Sequence, residues 1–180
     1  MAVAATFLVS IASSEEVETK PYGGKPAAIP GKIEAEHWDL GATQVAYSDI
    51  DQQNRGADYR EKTQVDIEKR DDASNGYGVG WTKKGEWLIY SVDVKQSGVY
   101  SLSIPVASNK QGGEFHLEIA GKDVSGPISV PDTGGWDKLK EITHDEIQLK
   151  AGRQRIKVVM DEEGASKSIG DIDCFVFKLK

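Results

Sequence analysis

Four stretches of this chain alternate apolar and polar residues at a period of two, and that pattern constrains the fold more than any other feature. Glu86 to Val94 (EWLIYSVDV) puts Leu88, Tyr90, Val92 and Val94 on one face, and Val99 to Ala107 (VYSLSIPVA) does the same with Tyr100, Leu102, Ile104 and Val106. Glu114 to Ile119 alternates Phe115, Leu117 and Ile119 with Glu114, His116 and Glu118; Arg155 to Met160 alternates Ile156, Val158 and Met160 with Arg155, Lys157 and Val159. Neighbouring side chains of a strand point to opposite faces, so each run reads as a strand with one buried face. Turn-forming clusters separate them, at Gln96-Ser97-Gly98, 109–113, 120–123, 132–135 and Ala151-Gly152. Short strands with frequent turns predict an all-β chain, a sandwich or jelly roll of two antiparallel sheets. Only the stretch from Asp58 to Lys69 competes as helix, and Val65-Asp66-Ile67-Glu68 alternates instead.

The 180 residues suit one domain with a real core. Ala2 to Ala12 is apolar for eleven residues, too short for a spanning helix. It resembles the apolar part of a secretory signal, with small residues at Ser10 and Ala12, although no Lys or Arg precedes it; a stray N-terminal strand is the alternative. Residues 1–14 are therefore expected to be a signal-like segment and the protein to be secreted. Residues 15–30, rich in proline and glycine, are expected to be a linker or extended lead-in, and 31–180 the sandwich. With 22 Lys and Arg against 29 Asp and Glu the net charge is −7, which argues against a nucleic-acid partner. The single Cys174 excludes an intrachain disulfide and any multi-cysteine zinc site.

The chain has no G-x-S-x-G elbow, no phosphate-binding glycine loop and no H-x-x-x-H spacing among His37, His116 and His144. Four tryptophans stand out in so polar a sequence. Trp87 falls on the face opposite Leu88 and Tyr90, among positions such as Ser101, Ser103, Glu118 and Lys157. A flat ring among hydroxyls and carboxylates suits a pyranose ring; cover for a shallow sheet surface is the plainer account. Trp81 (GVGW) and Trp136 (GGW) follow glycines where loops meet strands, which suits either a binding loop or a plug at the sandwich end. Glu34 and Glu36 are spaced i, i+2, as are Asp171 and Asp173. On strands each pair points to one side, and the two pairs could meet to hold calcium; solvated acidic edges fit the spacing equally.

In unbroken order over residues 21–180, the chain resembles the family-6 carbohydrate-binding modules. The matching segments are PYGGKPAAIPGKIEAEHWD (21–39), YREKTQVDIE (59–68), NGYGVGWT (75–82), KGEWLIY (84–90), VASNKQGGEFHLEIAGK (106–122), VPDTGGWD (130–137) and the closing DID. The resemblance implies a jelly-roll sandwich without catalytic activity that keeps an enzyme near polysaccharide, with Trp81 and Trp136 clasping a sugar ring at the sandwich edge. It places Glu68 as a hydrogen-bonding carboxylate and puts Asp171 where the family carries asparagine, a residue that also donates. Gly170 replaces an aromatic, implying a more open wall. Trp87 and Glu118 match a second, concave-face site, while the lysine used there by some members falls on Val159. A structural calcium ion is implied on Glu34, Glu36 and Asp173, with backbone carbonyls near Tyr77. The expected partner is a polysaccharide or oligosaccharide, together with a catalytic glycoside hydrolase domain. Two competing readings are a small glycan hydrolase or lyase, needing two carboxylates in one cleft, and an adhesion sandwich, needing both edge tryptophans buried.

Overall fold

The computed structural model describes residues 19–57 and 59–180; the expected signal-like segment 1–14 lies outside them. Among the described residues, fourteen strands form two seven-stranded sheets. The first sheet holds β1 (Ala27–Ile29), β3 (Tyr47–Ser48), β6 (Trp87–Val94), β8 (Glu114–Ile119), β9 (Lys122–Asp123), β10 (Ile128–Ser129) and β12 (Gly152–Glu162). Its order is β1-β6-β12-β8-β10, with β3 beside β6 and β9 beside β8. The second holds β2 (Gly31–Glu34), β4 (Ile67–Lys69), β5 (Tyr77–Val79), β7 (Gly98–Ser108), β11 (Gly135–Leu149), β13 (Asp171–Ile172) and β14 (Cys174–Leu179). Its order is β2-β14-β7-β13-β5-β4, with β11 on β7. This is the jelly-roll sandwich the alternation predicts, and 58–69 contributes strand β4 with no helix among its described residues.

The predicted inward faces are the core. Leu88, Tyr90, Val92 and Val94 are buried against Tyr100, Leu102, Ile104, Val106, Phe115, Leu117, Ile156, Val158 and Met160. Each large side chain removed from water contributes about 1.5–3 kcal/mol, which is why pattern alone selects the sandwich.

Three segments depart from the sequence reading. Residues 27–29, expected within the extended lead-in, form β1, which pairs parallel with β6 and buries Ile29. The longest strand, β11, was not evident because register shifts between Gly135 and Lys140 and between His144 and Ile147 interrupt its alternation. The chain leaves strand geometry after Glu34, so Ala35–His37 is a 3-10 turn in which Glu36 is fully buried, not projected beside Glu34 as strand spacing predicts.

One core-edge carboxylate sets a pH dependence. Glu86 is buried, accepting the Lys83 and Ile50 amides, and burial followed by the nearby Asp49 and Asp66 charges pushes its pKa up to about 8. A folded pKa above the unfolded one favours the fold at low pH, and that contribution disappears as pH rises through about 8. Glu86→Gln is expected to flatten the loss of stability between about pH 5 and 8, by about 1 kcal/mol or more, in urea titrations at several pH values. An unchanged pH slope counts against this assignment.

Candidate functional site

Five segments meet at the edge of the second sheet around a cleft of about 290 Å³. Trp81, Trp136, Glu68 and Asp171 line it, with Lys83 and residues Ser166–Ser168. The structure therefore brings together all four residues assigned to the edge site. Trp81 is 46% exposed and Trp136 half-buried, so neither plugs the core and the adhesion reading loses its requirement.

Local backbone chemistry explains the position of each ring. Trp81 takes a left-handed conformation (φ 49°), which turns it out of the line of β5 at a cost that ordinary L residues avoid. The next residue, buried Thr82, ties this turn to the far wall. Its Oγ1 donates to the Gly170 carbonyl (2.7 Å) and accepts the Gly170 amide (3.1 Å), while Ser168 Oγ donates to its carbonyl (2.9 Å). Gly80 leaves room beside the cleft, since a Cβ there would stand 3.1 Å from Asp171 Oδ1 and crowd it. Ahead of Trp136, Asp132 Oδ1 accepts the Gly134 amide (2.8 Å), and Thr133 Oγ1 accepts the Ser108 amide (2.9 Å).

Beneath the cleft lies a residue that sequence reasoning missed. The Arg70 side chain is only 2% exposed and its guanidinium joins three segments. Nη1 donates to Glu68 Oε2 (2.5 Å) and Asp171 Oδ2 (3.0 Å); Nε and Nη2 bind both oxygens of Asp72 (3.0 Å each); Nη2 also donates to the Trp136 carbonyl (2.7 Å). Asp72 in turn accepts the Leu139 amide (3.2 Å). The sequence around it, Glu68-Lys69-Arg70-Asp71-Asp72, reads as a solvated turn and carries no sign of this burial.

Three carboxylates share this one cation. Burial, followed by the charge of Glu68, raises the Asp171 pKa to about 8 despite Arg70. These opposing influences leave Asp171 accepting from Arg70 at the cleft floor. Gly170 has φ 143° and a Cβ there would lie 2.8 Å from Val130 Cγ1, so the backbone carries no side chain into the cleft at this point, and Ser166–Ser168 line it.

Trp87 and Glu118 lie on the outer face of the first sheet, and β12 runs between their strands. Val159 pairs with Trp87, yet a lysine reaches the ring from two residues earlier. Lys157 Nζ stands 4.6 Å from the Trp87 ring centroid and 3.9 Å from Glu118 Oε2. His116 Nδ1 binds Asp161 (2.8 Å) in the same row; burial opposes its charge, but the hydrogen bonds to Asp161 and Glu118 raise its pKa.

The acidic pairs do not meet as pairs. Register slips by one residue between Ile172–Val106 and Val176–Ser103, so Asp171 serves the cleft while Asp173 turns to Glu34. Ser74 Oγ donates to Glu34 Oε2 (2.7 Å) and Asp173 Oδ1 (3.2 Å), and ligand atoms of Glu34, Asp173 and Cys174 lie within 4.8 Å of one another. Glu36 Oε1 accepts from Asn75 (2.5 Å), but its buried Oε2 has no partner. Burial, with the charges of Glu34 and Asp173 adding to it, raises Glu36 to about 7. Tyr77 opens β5 beside the Ala35–His37 turn, its amide donating to Asn75 Oδ1 (3.3 Å). Glu36 stands outside the group of Glu34, Asp173 and Cys174, but its orphaned buried oxygen, within the field of the Glu34 and Asp173 charges, is a ligand atom that a hard cation would satisfy. Burial, followed by the charge of Asp173, pushes the Cys174 thiol up to about 12.

The model of the family "Carbohydrate binding module (family 6)" matches residues 55–179. The clotting factor G alpha subunit of Tachypleus tridentatus is 36% identical over 88 residues, 48% of this chain, which spans 13% of that relative's length. Among solved structures, a cellotriose complex of a family-6 module from Cellvibrio mixtus lichenase 5A is 25% identical, with TM-score 0.61 over 84% of this chain and 98% of that one. A β-1,3-glucan-binding family-6 module from Bacillus halodurans is 23% identical and shares the fold, with TM-score 0.64 over 86% of this chain and 99% of that one.

Removing the guanidinium strands three carboxylates around one floor. Arg70→Met is expected to cost about 2–3 kcal/mol in urea unfolding, less than for a fully buried cluster because Glu68 and Asp72 reach solvent. Arg70→Lys is not expected to restore it, since an ammonium cannot match the fork. Full stability in the Met variant would contradict the assignment.

Proposed function

Because the chain belongs to carbohydrate-binding module family 6 and so binds carbohydrate, we propose that its edge cleft holds one sugar ring of a glycan between Trp81 and Trp136. The observation that carries this reading is the cleft itself: an exposed indole held out of the sheet, with a second indole and two fixed carboxyl groups lining the same space. The indole faces take the apolar C–H surfaces of the ring, and Glu68 and Asp171 take its hydroxyls. Each stacked ring contributes about 0.5–1.5 kcal/mol, which points to the weak affinity of a few-contact site.

The site binds without catalysis in this reading. Glu68 and Asp171 do converge, which is what a hydrolase would need, but both accept from the same Arg70 nitrogen. A glycosidase pair instead flanks the scissile bond, one group as acid and the other as base or nucleophile. The Trp87–Glu118 face serves as a second sugar site only if Lys157 moves off the indole. The lichenase that contains the Cellvibrio module supports a role in which this chain is exported and accompanies a catalytic glycoside hydrolase domain.

Glu34 and Asp173, already grouped, together with Glu36 and backbone oxygens at Tyr77, would hold calcium. The ion would supply positive charge to carboxylates that otherwise repel one another, and these residues fix the Ala35–His37 turn to β14.

Trp136→Ala is expected to lower glycan retention in affinity gels at least tenfold without changing the unfolding midpoint; unchanged retention against a panel of neutral polysaccharides that retain the wild type would sink the edge-cleft reading. In calorimetry, chelator is expected to lower the unfolding temperature and millimolar calcium to raise it, by linkage. Glu36→Gln should lose that response, and a chelator-insensitive wild type argues against the ion.

A further inference from the structure

The outer face of the first sheet carries a second concavity that the edge cleft does not use. It is an open groove of about 830 Å³ between the 21–26 segment and the turn after β8 at Ile119 and Ala120. Ser91, Arg153 and Arg155 line its floor, and Lys25 stands on the rim. Arg153 and Arg155 are alternate residues of β12, paired with Asp93 and Ser91 of β6, so their side chains leave the same face about 7 Å apart.

The charges in this groove are uncompensated. Among the described residues, Arg153, Arg155 and Lys25 make no ion pair and no side-chain hydrogen bond. Asp93, the carboxylate in register with Arg153, is taken by Lys95; Lys157, next along the face, is taken by Glu118 and the Trp87 ring. Asp39, close to the floor, accepts from Thr19 and Ser91. In a chain of net charge −7, a groove lined by Lys25, Arg153 and Arg155 and, among the described residues, by no carboxylate is a local reversal of charge. Guanidinium forks match oxyanions with two parallel hydrogen bonds, and they do so at a spacing here that suits a polymer with repeated charge. The apolar rim at Pro26 and Ile119 suits the C–H face of a sugar ring better than a bare ion.

We propose that this groove binds an acidic polysaccharide, Arg153 and Arg155 pairing with sulfate or carboxylate groups along it and Lys25 closing on it from the rim. The site is separate from the Trp81–Trp136 cleft, so the two readings fail independently. Sulfate esters and uronate carboxylates share the required chemistry, and the polymer used separates them.

The test is affinity electrophoresis of the whole chain against a sulfated galactan, a polyuronate and a neutral β-glucan, with Arg153→Ala/Arg155→Ala and Trp136→Ala as variants. At least one acidic polymer should retain the wild type and Trp136→Ala alike. Retention should fall at least tenfold in the double arginine variant and several-fold in 0.5 M salt, while the double variant's behaviour in the neutral gel matches wild type. The polymer that retains more strongly identifies sulfate or carboxylate as the group read. Acidic polymers that retain the wild type no better than the neutral one overturn the proposal. Retention that survives the double substitution does the same, as does equal binding of a single-stranded oligonucleotide through the same arginines.

Discussion

The edge of this sandwich depends on the buried guanidinium of Arg70. A charge with almost no exposure is tolerated only where partners replace water, and Arg70 finds them in three parts of the chain: Glu68 and Asp72 beside it, Asp171 on β13, and the Trp136 carbonyl at the start of β11. Those partners are also what shapes the cleft. The tryptophan wall and the carboxyl floor are therefore one structure, fixed by one cation, and burial with the excess of carboxylate over cation raises the Asp171 pKa.

The sheets bring these pieces together by register. β5 pairs with β4 through Ile67–Val79 and with β13 through Ile172–Val79, so Glu68, Trp81 and Asp171 arrive at one edge from three strands. A one-residue slip after Ile172 then sends Asp173 away from Asp171 and toward Glu34. Two acidic residues two positions apart thus have different surroundings, one lining a cleft and the other grouped with Glu34 and Cys174.

Much of this was legible in the sequence, for identifiable reasons. Strands β6, β7, β8 and β12 each bury one face, and burial writes a period of two into the residues. Trp81 and Trp136 were legible because glycines precede exposed rings. Strand β11 was not, since bulges reset its phase and most of it is an exposed edge. Glu36 was misplaced because a 3-10 turn replaces the strand whose alternation would have predicted its direction. The role of Arg70 was hidden by the company it keeps: in a chain rich in surface charge, E-K-R-D-D looks like a solvated turn, and only pairing across the sheet reveals that its middle residue is buried.

The central claim is that sugar enters between Trp81 and Trp136 above the Arg70 cluster. Indole N–H signals of the four tryptophans, followed by NMR during titration with a bound oligosaccharide, test it most directly. The account predicts saturable shifts at Trp81 and Trp136 with the fully buried Trp38 unmoved. Shifts confined to Trp87, or binding that leaves both edge indoles unchanged, would contradict it.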